Sequence, residues 1–198
     1  MKTSKTPLVI FLVLLTGICA IIFFFNTKEF KSGITQSSVV LKIQSLNRLE
    51  TASFTIEKII ESGTDKNAFT DVLFGDKILL IAHANIIAGF DFSKIKESDI
   101  KVSGERLTIQ MPAPEILVSK LDNEKTRVYD RQLGFLTKGD SSLEAVTRLI
   151  AENSIRQDAC EAGILDSATV NAKKQLITLF TSVGFKEVVL NVPSGSCQ

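Results

Sequence analysis

KILLIAHANIIA, residues 77–88, carries apolar side chains at nearly every position, so both faces of any strand it forms are apolar. Half-exposed strands alternate apolar and polar residues, whereas strands flanked by others in a sheet read as continuous apolar runs. The stretch is therefore expected in the middle of a sheet, and the rest of the chain arranges itself around it. Asp71–Phe74, with a turn at Gly75-Asp76, is expected to be the first arm of a hairpin whose second arm is this strand.

Upstream, TASFTIEKIIE (residues 51–61) is rich in β-branched residues. Its Phe54, Ile56 and Ile60 fall on one side of a period-two pattern, which predicts a strand. Val39, Ile43, Leu46 and Leu49 recur at helical spacing and predict a helix over Ser37–Glu50. Ser62–Asn67 has turn chemistry. Downstream, Ser98–Val102 and Arg106–Met111 flank Ser103-Gly104-Glu105 and form a second expected hairpin, ended by Pro112 and Pro114, which have no ladder donor. Thr126–Asp130 is expected to add a short strand.

The last third changes character. Ser141 and Glu144 have capping-box spacing before a helix over Ser142–Ala162, with Gly163 as its left-handed stop. A second helix is expected from about Asp166 or Ser167 to Val183, halted by Gly184. Its Leu165, Ala168, Ala172, Leu176, Leu179 and Val183 share one face, expected to pack inward rather than to line a partner groove. Phe185–Val192 is a terminal strand. The fold class is α+β: a mostly antiparallel sheet carrying two C-terminal helices and a terminal strand.

Ahead of all this lies LVIFLVLLTGICAIIFFF, residues 8–25, with no charge in it. Eighteen helical residues rise about 27 Å, close to the hydrocarbon thickness of a bilayer. The run ends in bulky aromatics rather than a small-residue cleavage site, and Ile18 precedes Cys19 where a lipoprotein needs a small residue. It is read as a retained single-pass transmembrane anchor. Residues 1–26 are then the anchor, 27–36 a juxtamembrane linker and 37–198 one globular domain. The lysine asymmetry about the span is small; because single N-terminal spans followed by one globular domain commonly export that domain, the N-terminus is expected to be cytoplasmic and the domain extracytoplasmic.

Beyond residue 26 the chain holds all 22 acidic residues and all but Lys2 and Lys5 of the 23 basic ones. A surface with no basic excess, no Trp and one Tyr is not built to bind nucleic acid. His83 is the single histidine, mid-strand between alanines, where a structural role is expected. The motifs HExxH, GxSxG, GxGxxG and GxxxxGK[ST] do not occur. No cofactor and no metal site is expected, and no catalytic residue is assigned. Asp91 and Glu115, both beside chain reversals, are the weak site candidates. As a pair they could do acid–base work in an envelope enzyme; as isolated residues they cap a turn and a helix start. The second helix climbs about 26 Å and the last strand returns about as far, which brings Cys197 back towards Cys160. In an exported domain the two could form a disulfide; two free thiols are the alternative.

LNRLETASFTIEKIIES (46–62), AGFDFSKI (88–95), MPAPEIL (111–117) and EAGILDSATVNA (161–172), in this order behind one apolar span, resemble the bacterial family known as domain of unknown function 4230 (DUF4230). The resemblance covers nearly all of residues 40–190. It implies a bacterial membrane-anchored protein and brings no activity, substrate or catalytic residue. The function expected is therefore a non-enzymatic binding or structural module of the cell envelope, with the membrane and an envelope protein as partners.

Overall fold

A computed structural model describes residues 35–63 and 68–197. The apolar run Leu8–Phe25 and most of the linker lie outside the described residues. Among the described residues no helix is long and apolar enough to cross a membrane.

The framework is a long antiparallel ribbon. Strand β1 (Arg48–Gly63) pairs with β2 (Asp76–Asp91) from Arg48↔Asp91 to Gly63↔Lys77. The far edge of β2 is shared by two shorter strands. β5 (Glu115–Leu121) takes Ala84–Gly89, and β6 (Arg127–Leu133) takes Asp76–Ile81. Between them Asp122 N–H donates to His83 C=O at 2.8 Å, and the Thr126 hydroxyl accepts from His83 N–H at 3.1 Å and donates to the same C=O at 3.2 Å. Residues 77–88 therefore do sit mid-sheet, with neighbours on both edges.

A second, smaller sheet pairs β3 (Ile100–Ser103) antiparallel with β4 (Arg106–Gln110), and β4 parallel with β7 (Glu187–Asn191). The β3–β4 turn is two residues, and Gly104 takes φ +59°, which an L side chain resists. Two helices, α3 (Leu143–Glu161) and α4 (Ile164–Val183), cover one face of the large sheet. Gly163, at φ +78°, separates them. Ala82, Ala84 and Ala88 of β2 meet Ala151, Ala159 and Ala168 of the helices, around Leu80, Ile86, Ile155 and Ile164. Small residues on both layers let backbones approach. Each buried Leu or Ile contributes about 1.5–3 kcal/mol.

Four expectations are corrected. Helix α1 (Gln36–Gln44) stops short of Glu50, because Asn47 turns left-handed (φ +52°) and β1 starts at Arg48. Asp71–Phe74 belongs to a helix, α2 (Ala68–Phe74), not to a hairpin arm; β2 finds its hairpin partner in β1 instead. The Ser141–Glu144 capping box does not form. The Asp140 carboxylate takes the Ser142 N–H at 2.7 Å and the Ser142 hydroxyl at 2.6 Å, while Glu144 pairs with Arg148. On α4, Leu165, Ala168, Ala172 and Leu176 are buried, but Val183 is exposed. Phe180 takes the inward position in the last turns and packs edge-on against Phe185.

Candidate functional site

Asp91 ends β2 and caps the short 3-10 turn that follows. It accepts from the Ser93 N–H at 3.1 Å and from the Ser93 hydroxyl at 2.5 Å. Glu115 opens strand β5, not a helix, and pairs with Gly89 in the ladder. The two candidate carboxylates meet on one cation: Lys94 Nζ stands 3.3 Å from Asp91 and 3.1 Å from Glu115. The Ser93 hydroxyl, more than Lys94, holds the Asp91 carboxyl below its usual range, and the Glu115 carboxylate raises the Lys94 ammonium. A general acid near neutrality needs the opposite shift. Through Lys94 the two carboxylates form a clasp between the end of β2 and the start of β5.

Cys160, in the last turn of α3, is bonded to Cys197, with Cα atoms 6.2 Å apart. The tail reaches it by passing tightly over the molecule: a Cβ on Gly195 would fall 2.4 Å from the Pro114 carbonyl oxygen. Beside the bond lies an open hollow of about 620 Å³, bordered by Asn153, Arg156, Gln157 and Glu161.

One surface lies outside every candidate drawn from the sequence. At the Asp76 end of the ribbon, Phe135 is 87% exposed and Leu136 65%, next to exposed Val72, Phe74 and Leu133. The backbone makes them protrude. Gly134 N–H donates to Gly75 C=O at 2.8 Å, Phe135 N–H to Val72 C=O at 3.2 Å, and Leu136 N–H to Leu73 C=O at 2.7 Å. These bonds fasten the segment by its amides and turn its side chains to solvent. Beneath it, Arg131 grips the buried Asp76 carboxylate through Nε (3.0 Å) and Nη2 (2.7 Å), and Asp140 N–H adds a third bond at 2.6 Å. The Arg131 hydrogen bonds hold the Asp76 carboxyl below its usual range against the opposing effect of burial. The readable clue was Leu133-Gly134-Phe135-Leu136, an apolar cluster inside a polar loop.

His83 lies on the sheet face away from the helices, its Nε2 3.6 Å from Glu57 Oε1. Among the described residues no group of three His, Cys, Asp or Glu is arranged to hold a metal ion.

Fold and surface together define the class: an α+β domain whose distinctive features are a clasp, a disulfide and an exposed apolar tip. The family model described as "Protein of unknown function (DUF4230)" matches residues 41–190, and the chain belongs to that family. No curated protein and no solved structure matches it.

Proposed function

We propose that this chain is a membrane-anchored, extracytoplasmic module that binds a component of the cell envelope without catalysing a reaction. The observation that carries this reading is the Cys160–Cys197 disulfide, because such bonds persist on the oxidising side of a membrane. The uncharged run Leu8–Phe25 supports the anchor. The Phe135–Leu136 tip supports binding, since adjacent bulky apolar side chains exposed to this degree mark contact surfaces.

Two measurements test it. A reporter fused to Gln198 should be active only when it requires export. Activity confined to the cytoplasm would overturn the orientation. A photo-reactive residue at Phe135 should crosslink in intact cells to one reproducible envelope component, and Leu136→Asp should abolish that product. A tip that crosslinks only to solvent-derived adducts would remove the binding reading.

A further inference from the structure

Strand β1 is the outermost strand of the large sheet, and among the described residues no strand lies along its outer edge. Which of its backbone groups face that edge follows from His83. Both the N–H and the C=O of His83 are taken on the β5–β6 side of β2, by the Thr126 hydroxyl and the Asp122 N–H. In an antiparallel pair a residue turns both groups to the same neighbour, and the direction alternates along the strand. His83 therefore gives nothing to its β1 partner Glu57, whose own N–H and C=O point outward. From Ala52 onward the β1–β2 register runs without a shift, so Ser53, Thr55, Ile59 and Glu61 also point theirs outward. Among the described residues these backbone groups have no hydrogen-bond partner.

Edges of this length are ordinarily guarded by a proline, a bulge or an outward lysine. Here the bulge comes earlier, between Glu50 and Ala52, where the Asn171 side-chain amide donates to Thr51 C=O at 2.8 Å. From Ser53 to Gly63 there is no proline, and the one cation, Lys58, is turned to Asp158 and Ser154 of α3. Nine residues, 53–61, leave about 30 Å of open ladder. Glu57, Ile59 and Glu61 stand along it on the face away from the helices, with Ile59 62% exposed and the Glu57 side chain 61%. On the β2 side His83 lies 3.6 Å from Glu57, and Lys77 borders the same hollow as Glu61. Glu61 has no ion-pair partner among the described residues.

An extended polypeptide repeats donors and acceptors at the spacing of this edge, so the ladder itself fixes the occupant's backbone. We infer that the β1 edge from Ser53 to Glu61 takes up an antiparallel strand of a partner protein, with cations opposite Glu57 and Glu61 and an aliphatic residue opposite Ile59. Directly opposed residues share a face with Cα atoms about 5.5 Å apart, so two Lys or Arg side chains four residues apart meet both glutamates. A second copy of β1 does not fit: its residues 53–63 hold no cation but Lys58, which lies on the helix face. The site is separate from the Phe135–Leu136 tip and does not depend on which side of the membrane the domain occupies.

The test uses the full chain in non-ionic detergent micelles and a labelled peptide, Thr-Lys-Thr-Val-Thr-Lys-Thr, blocked at both ends. In the chain alone, hydrogen exchange should be fast at the amides of Ser53, Thr55, Glu57, Ile59 and Glu61 and slow at the even-numbered amides between them. Peptide should slow the fast set about tenfold or more. N-methylation of the peptide's Lys and Val amides, which face β1, should abolish binding, and N-methylation of the Thr amides beside Val, which face away, should not. Glu57→Lys with Glu61→Lys should weaken binding about tenfold or more and should create binding of Thr-Glu-Thr-Val-Thr-Glu-Thr, a gain that misfolding cannot produce. Outward amides already slow in the chain alone would show that its own residues or a second copy fill the edge, and would overturn the inference. Equal binding of the two peptides by the unaltered chain, or no slowing at about 1 mM peptide, would overturn it too.

Discussion

Cys197 is covalently joined to Cys160, so the last residues of the chain are tied to the end of helix α3 across 37 positions that include all of α4 and β7. The bond thus ties the helical layer to the small sheet, through β7. By closing a loop of this length in the unfolded chain, it should contribute about 3–4 kcal/mol. Guanidinium unfolding with and without dithiothreitol measures it, and Cys197→Ser should reproduce the reduced value without added reductant.

The Asp76–Arg131 pair should be the most sensitive polar contact. Asp76→Asn leaves the guanidinium and the Asp140 amide poorly matched, and about 2–3 kcal/mol should be lost in denaturant titrations, discounted because Arg131 is one-third exposed. The pH dependence has a definite sign. The folded carboxyl is held below its ordinary value, so its stabilisation is complete above about pH 5. It disappears as pH falls through the folded value. Wild type should lose more stability than Asp76→Asn between about pH 5 and pH 2.

Gly89 marks a backbone crossing. A Cβ there would sit 2.0 Å from the Leu49 carbonyl oxygen, so β1 must move for any larger residue to fit. Gly89→Ala should cost about 2 kcal/mol or more by thermal unfolding, far beyond the ordinary effect of an added methyl.

Asp140, rather than Ser141, organises the approach to α3. Asp140→Ala should lower stability measurably, and Ser141→Ala should leave it unchanged. Circular-dichroism melts of the two variants distinguish the observed cap from the one the sequence spacing suggests.

At the tip, Phe135→Ser with Leu136→Ser should leave stability within about 0.5 kcal/mol, because both side chains are already in water. The same variant should bind less of an apolar dye such as ANS. A large fall in stability would show that the tip packs against something.

Local chemistry made much of the fold legible. The period-two pattern of residues 51–61, the glycine stops at 163 and 184, and the prolines after β4 act within a few residues of themselves. Asp71–Phe74 misled because four residues carry too little pattern to separate a helical turn from a strand. β5 went unread because Pro114-Glu115 looks equally like a helix start.

The amino-acid order alone determined the layers: an apolar strand must lie among others, and two amphipathic helices must cover it. Only the tertiary structure decided which distant groups meet. It put Asp91 and Glu115 on one lysine, drew Cys197 back to Cys160, hydrogen-bonded Thr126 to His83, and turned Phe135 and Leu136 to solvent. Periodicity records which side of an element avoids water. Partner choice depends on loop paths and strand register, set by the summed contacts of the whole chain.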